Sequence, residues 1–186
     1  MKKSLFITLL LLPFLWSCEQ DIADRKPVVR TFEQDGFRFT FSLQTENGTN
    51  ATVFKEGENV VSVYTIENLT GDTAFVAESY SSAYKNDNFG RVYSIDGEDL
   101  GRPAVVMPAE WIICRHMEPG AAWRSSLSYP GDDVHNVQSL KRGEYYVSFT
   151  PRFSYYSSCC HYSDSEGLDE RINVEMPEFK INFEVK

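Results

Sequence analysis

The sequence predicts an all-β fold, and three observations lead to that prediction. Apolar and polar residues alternate along several short segments, as they do in strands with one buried face. Clusters of Gly, Pro, Asn and Asp separate these segments, and no segment has the i, i+3, i+4, i+7 apolar spacing of a long amphipathic helix. The chain of 186 residues is 42% hydrophobic and 14% aromatic, which supplies a core and excludes disorder of the whole chain.

The first segment is typical of a secretory signal peptide. Lys2 and Lys3 precede an apolar run over residues 5–15, which is shorter than the ~20 residues that a membrane-spanning helix needs. We therefore expect residues 1–17 to be removed. An ordinary secretion signal, with Cys18 present by chance, is one interpretation of this segment.

The other interpretation is a resemblance. The segment Leu15-Trp16-Ser17-Cys18 resembles the lipobox of bacterial lipoproteins. In that family the Cys receives the lipid, palmitate among its acyl chains, and becomes the N-terminus after cleavage. The resemblance implies lipidation of Cys18 and attachment to the envelope of a Gram-negative bacterium, with the outer membrane as the expected location. Glu19 and Asp21 resemble the surface-export signals of Bacteroidetes lipoproteins, and the leaflet and its facing stay open.

The segment after Cys18 is predicted to be a flexible tether over residues 18–34, because it is polar and contains a Pro. The formal charge of −9 falls by two, to −11, when Lys2 and Lys3 leave with the signal peptide. This balance and the lack of a basic stripe argue against nucleic acid as a partner. They also argue against direct adsorption to anionic lipid, so the membrane partner is reached through the lipid on Cys18.

The first half of the folded region contains three predicted strands. In residues 37–43, Phe and Leu alternate with polar residues, which predicts a half-buried strand. Residues 46–50 and 56–58 are turns rich in Asn and Gly. A strand follows over 60–66, ends at the turn 68–72, and precedes a further strand over 73–78.

The second half contains five more predicted strands, after a polar loop over 79–90. Asp96-Gly97 is a hairpin signal that closes the strand before it. The last strand alternates most clearly, with Phe179, Ile181 and Phe183 on one face. The five predicted strands are 91–95, 111–117, 122–129, 144–149 and 179–185. We expect seven to nine strands in one monomeric immunoglobulin-like β-sandwich over residues 35–186.

Three segments together resemble one family. They are residues 54–60 leading to 66–72, Glu118-Pro119-Gly120, and residues 140–147 with Gly143-Glu144-Tyr145. The pattern is similar to the bacterial immunoglobulin-like domains grouped with the intracellular proteinase inhibitor of bacilli. The likeness spans roughly residues 53–150, and this chain departs from it by inserts at 79–90 and 152–172. It implies the fold, with proteinase inhibition as an alternative activity; Tyr145 is expected to form a tyrosine corner.

The remaining cysteines allow two interpretations. In an exported chain we expect a disulfide from Cys114 to Cys159 or Cys160, or a strained ring between the adjacent pair. The alternative is a metal site, because two short segments each bring a thiolate close to an imidazole, as zinc or copper(I) would require. Its ligands would be Cys114, His116, Cys159 and His161.

Aromatic residues in the two inserts are the best indication of a binding function. Tyr combines apolar area with a hydrogen-bonding hydroxyl, so Tyr residues in loops often contact partners. The candidates are Tyr80, Tyr84, Phe89, Phe153, Tyr155, Tyr156 and Tyr162. The alternative is that they cap the ends of the sandwich.

No catalytic motif supports an enzyme, because Ser and His residues lack a nucleophile elbow and the carboxylates lie beside turns. We expect a non-catalytic binding module with no cofactor and with a protein or glycan partner. Thr73, in Asp72-Thr73-Ala74, resembles the O-glycosylation site of exported Bacteroidetes proteins.

Overall fold

The computed structural model describes residues 28–79, 88–103, 112–130, 137–156 and 171–186, with side chains except at 77–79 and 112–114. These ranges form twelve strands and no helix. Within these ranges, no helix is long and apolar enough to cross a membrane. The strands are β1 (Val29–Gln34), β2 (Phe37–Gln44), β3 (Val53–Phe54), β4 (Val60–Asn68), β5 (Ala74–Ser79), β6 (Val92–Ser94), β7 (Ile112–Met117), β8 (Ala122–Tyr129), β9 (Gly143–Phe149), β10 (Phe153–Tyr156), β11 (Arg171–Val174) and β12 (Phe179–Val185).

The strands form three four-stranded sheets. The first sheet has the order β1-β2-β4-β8, the second β3-β12-β9-β6, and the third β11-β10-β5-β7. Within them β3 and β12 pair in parallel, and the other neighbours pair antiparallel. The strand β3 is only two residues long and joins the C-terminal end of β12.

The first two sheets pack face to face through aromatic side chains. Phe41 of β2 meets Phe149 of β9 edge-on, with ring centres 4.9 Å apart. Tyr64 of β4 meets Phe149 at 5.4 Å and Phe179 of β12 at 6.1 Å. Rings that interlock from facing sheets are the core of a β-sandwich. The predicted all-β sandwich is confirmed.

The alternating sequence pattern explains which side chains enter this core. In β2 the residues Phe37, Phe39 and Phe41 are at most 1% exposed, whereas the intervening Arg38 and Thr40 are only half-buried. In β12 the buried residues Phe179, Ile181, Phe183 and Val185 alternate with Lys180, Asn182 and Glu184. Both strands were predicted from this period of two.

The third sheet packs against the end of the sandwich where β4 finishes. Phe153 of β10 contacts Phe37 at 4.8 Å and Phe39 at 4.9 Å. At the same end, the side chain of Asn68 donates a hydrogen bond to the carbonyl of Met117 in β7. The start of β4 lies at the other end, where Val60 pairs with Tyr129 of β8.

Two boundaries differ from the sequence prediction. The strand β1 lies inside the predicted tether, so the sandwich also includes residues 29–34. The strand β10 lies inside the predicted insert 152–172, and the strand count exceeds seven to nine. Both strands are held by backbone pairing with β2 and β5, which needs no alternation of their own side chains.

Candidate functional site

The face of the second sheet that points away from the core carries two neighbouring tyrosines. Tyr145 and Val147 of β9 point inward and are buried, so Tyr146 between them points outward. The strand register places Tyr93 of β6 directly opposite Tyr146. Asn182 of β12 lies opposite Tyr146 on its other side.

The two tyrosine rings and a lysine form a stack on this face. The ring centres of Tyr93 and Tyr146 are 5.0 Å apart and their planes are nearly parallel, at 14°. The ammonium of Lys180 lies 3.8 Å from the centre of the Tyr146 ring. Because Tyr93 and Lys180 come from strands on opposite sides of β9, they cover opposite faces of Tyr146. These contacts, one of them a cation–π interaction, hold the Tyr146 ring between Tyr93 and Lys180.

An exposed aliphatic residue extends the stack. Ile95, two residues after Tyr93, is 48% exposed, and its backbone N–H donates to the carbonyl of Glu144 at 3.0 Å. The register therefore continues past β6 and puts Ile95 on the same face as Tyr93 and Glu144. We call Tyr93, Ile95, Tyr146 and Lys180 the tyrosine surface.

The surroundings of Tyr93 favour the neutral form of its hydroxyl group. Burial raises the pKa of Tyr93, with Asp99 acting in the same direction and Arg91 opposing it. Arg91 is held by Asp99, with Nη1 and Oδ2 at 2.6 Å. A neutral phenol both donates and accepts hydrogen bonds, so Tyr93 can pair with either kind of polar group on a partner.

The predicted tyrosine corner is present on the inner face of the same sheet. The hydroxyl of Tyr145 donates to the carbonyl of Lys141 at 2.8 Å. Its ring stacks on Phe183 at 5.6 Å. Burial, followed by the charge of Glu56, raises the pKa of Tyr145. A Cβ on Gly143 would lie 3.1 Å from the Tyr145 hydroxyl oxygen, so a larger residue there would crowd the tyrosine ring.

Two of the predicted partner-binding aromatics are instead core residues. Phe89 is fully buried and packs on Phe149 at 5.1 Å. Phe153 is 6% exposed and sits between Phe37 and Phe39. Neither ring can reach a partner, because burial in the sandwich satisfies its apolar surface.

The other predicted aromatics have mixed positions. Tyr155 is half-buried and contacts Phe37 at 5.3 Å, and burial raises its pKa, with Asp35 contributing. Tyr156 is half-buried at the end of β10. Tyr80, Tyr84 and Tyr162 lie outside the described residues.

The predicted cysteine and metal residues are only partly described. The backbone of Cys114 lies in β7 opposite Ala77, and His116 lies opposite Phe75, with the two rings 5.0 Å apart and edge-on. Within the described ranges no three His, Cys, Asp or Glu side chains are grouped to hold a metal ion. Cys18, Cys159, Cys160 and His161 lie outside those ranges.

The predicted glycosylation residue, Thr73, is half-buried before β5. Its Oγ1 donates to the Glu118 carboxylate at 2.9 Å. The hydroxyl is thus part of a surface hydrogen bond between the turn before β5 and the turn after β7.

Tyr93, Ile95 and Tyr146 were not among the residues predicted to bind a partner. The signal was present in part, because Tyr146 alternates with buried Tyr145 and Val147 and must face outward. The pairing of Tyr146 with Tyr93 depends on the register between β6 and β9, which the sequence alone does not supply.

Comparisons with known proteins give distant structural likenesses. The crystal structure of the C-terminal domain of Wzt is 11% identical, with a TM-score of 0.38, over 87% of this chain and 80% of that chain. An X-ray structure of a Northeast Structural Genomics Consortium target is 13% identical, with a TM-score of 0.30, over 82% of this chain and 85% of that chain. No family model and no curated protein matches the chain. Likenesses this low contribute nothing to the argument about function.

Proposed function

We propose that this protein is a lipid-anchored, non-catalytic binding module of a bacterial cell envelope, and that it contacts a protein partner through the tyrosine surface. The observation that carries the proposal is the Tyr93–Tyr146–Lys180 stack beside exposed Ile95. Tyrosine is among the side chains that are enriched at protein–protein interfaces and that contribute most to their binding free energy.

The geometry of the stack favours a protein over a glycan at this surface. A sugar ring packs against the open face of an aromatic ring, as other C–H groups do. Both faces of Tyr146 are already covered, by Tyr93 on one side and Lys180 on the other. What Tyr146 offers is its ring edge and hydroxyl close to the aliphatic Ile95, which suits the mixed polar and apolar surface of a protein.

The partner contact can be tested by site-specific photo-crosslinking in the native envelope. A photoreactive residue in place of Ile95 should yield a discrete crosslinked protein, and Tyr146→Ala should reduce its yield at least tenfold, because a central interface aromatic commonly contributes that much affinity. The matched control is a photoreactive residue in place of Thr40, on the outward face of the first sheet. The assignment would be refuted by equal crosslinking yields from positions 95 and 40. A yield from position 95 that Tyr146→Ala leaves unchanged would refute it as well.

The anchor is supported by the signal peptide and the lipobox-like Leu15–Cys18 segment. Metabolic labelling with a palmitate analogue should mark the wild-type chain and not Cys18→Ser. The variant should leave the membrane fraction, since its acidic surface has no other attraction for lipid. Cys160→Ser is a matched control that removes another cysteine and leaves the Leu15–Cys18 segment unchanged. Membrane association of unlabelled Cys18→Ser would contradict the proposed anchor.

A further inference from the structure

An open cavity of about 320 Å³ lies at the end of the sandwich away from the third sheet. It sits where β8 ends and β9 begins, on the inner side of the second sheet, so it does not share side chains with the tyrosine surface. Its lining residues are Leu100, Tyr129, Gln138, Ser139, Leu140, Lys141 and Tyr145. The volume is in the range of small-molecule sites.

The aromatic walls of this cavity are held in place by hydrogen bonds to the main chain. Tyr129 is 2% exposed, and its hydroxyl donates to the carbonyl of Leu100 at 3.0 Å. Tyr145 donates to the carbonyl of Lys141 and stacks on Phe183. The two tyrosine side chains therefore keep their positions without a ligand.

The rim of the cavity carries polar side chains that are not used by the fold. Gln138, Ser139 and Lys141 are exposed, and among the described residues none of their side chains makes a hydrogen bond. Together they offer an amide, a hydroxyl and an ammonium group to a ligand. Lys141 supplies the one charge among these described lining residues, which is notable in a chain of formal charge −9.

We propose that this cavity binds a small hydroxylated carboxylate of the size of one acidic sugar. The carboxylate would pair with the Lys141 ammonium, and the hydroxyl groups with Gln138 and Ser139. The C–H face of the ring would pack against half-buried Leu100, so that apolar and polar groups converge as in other small-ligand sites. A cation is disfavoured by the charge of Lys141.

The proposal can be tested by titrating the isotopically labelled mature chain with glucuronate and with glucose. Glucuronate should shift the backbone amide resonances of Gln138, Ser139 and Lys141 in a saturable way, and glucose should bind at least tenfold more weakly. Lys141→Met should weaken glucuronate binding at least tenfold. This variant keeps the tyrosine corner, because Tyr145 bonds to the main-chain carbonyl of residue 141.

Lys180→Met, on the outward face of the same sheet, is the matched control and should leave glucuronate binding unchanged. Absence of saturable shifts with glucuronate would overturn the proposal. The carboxylate assignment would be overturned if glucose bound as tightly as glucuronate. It would also be overturned if the Lys141→Met variant bound glucuronate as tightly as the wild-type chain. The photo-crosslinking experiment on the tyrosine surface does not depend on any of these results.

Discussion

The side-chain amide of Asn68 bonds directly to the main-chain carbonyl of Met117, at 2.8 Å, and so joins the end of the first sheet to the edge of the third. The same nitrogen donates to the carbonyl of Asp72 at 2.9 Å. The amide oxygen accepts from the N–H of Thr70 at 2.9 Å and from its hydroxyl at 2.6 Å. Asn68 is fully buried, and its amide uses both donor and acceptor capacity.

We expect Asn68→Ala to lower the free energy of unfolding by about 2–4 kcal/mol, because it leaves buried carbonyls without a donor. Urea unfolding followed by tryptophan fluorescence measures this loss. Asn59→Ala, which removes only the exposed bond to Glu46, should change stability by less than about 0.5 kcal/mol. Similar losses for the two variants would contradict the role given to Asn68.

Tyr145→Phe should destabilise the chain by about 1–2 kcal/mol, since the carbonyl of Lys141 loses its hydrogen bond while the ring keeps its packing. Tyr146→Phe, at the neighbouring outward position, is the control and should be nearly neutral. Thermal unfolding of both variants makes the comparison. A neutral Tyr145→Phe would show that the tyrosine corner contributes nothing to stability.

Alkaline pH should destabilise the fold through Tyr129. Burial, with smaller contributions from Tyr145 and Asp99, raises the pKa of Tyr129 to about 12, whereas an unfolded tyrosine titrates near pH ~10. The folded state favours the protonated phenol, so this stabilisation is complete below pH ~10 and is lost as the pH rises towards ~12. Between pH ~10 and ~12, the urea concentration at the midpoint of unfolding should fall more steeply with pH for the wild-type chain than for Tyr129→Phe. Parallel slopes would rule out Tyr129 as the source.

Gly90→Ala should cost about 2–4 kcal/mol, from a positive backbone angle and a steric clash together. Gly90 has a φ of 73°, and a Cβ there would lie 2.4 Å from Cδ2 of Leu127. Gly97 has a φ of 90° but open space around it, so Gly97→Ala should cost only about 1–2 kcal/mol. In the Gly90→Ala background, Leu127→Ala should cost less than it does alone, which a double-mutant cycle detects. Additive effects would exclude the clash.

The register of the third sheet allows the expected disulfide only if the chain turns back after Tyr156, because β10 runs along β5 from Val76 towards Phe75 and away from Ala77. β10 ends at Tyr156 opposite Phe75, and Cys114 lies opposite Ala77 on the other side of β5. Their Cα atoms are thus ~12 Å apart by strand spacing. Three further residues extend by at most ~10 Å, and a disulfide joins Cα atoms ~5.5 Å apart. We expect the mass of the oxidised mature chain to be lower than that of the reduced chain by two hydrogens. In a peptide digest, Cys114→Ser should remove the disulfide-linked peptide pair. A disulfide that persists in Cys114→Ser would instead favour a bridge between Cys159 and Cys160.

The buried strands could be predicted from the sequence because burial leaves its own pattern there. Phe37, Phe39 and Phe41 alternate with polar residues, and the same is true of β12. The tyrosine corner could be anticipated from Gly143 and Tyr145, because turn chemistry is local. These features depend on neighbours along the chain.

The missed features depend on neighbours across the fold. β1 is largely exposed and shows little alternation, and it becomes a strand by pairing with β2. Phe153 follows a Pro in a polar, tyrosine-rich segment, and only the packing of the third sheet buries it. The tyrosine surface arises from strand register, which a one-residue shift would abolish.

The pairing of β1 with β2 also determines how the domain responds to mechanical tension. Its six pairs with β2 run from Gln34, beside the hairpin turn, to Val29 at the open end. Tension on the chain ahead of Val29 falls first on the Val29–Ser42 pair, and the pairs then separate in succession rather than all at once. About 20 Å of chain, at ~3.3 Å for each residue, can be drawn out before the load reaches β2, whose phenylalanines pack in the core of the sandwich.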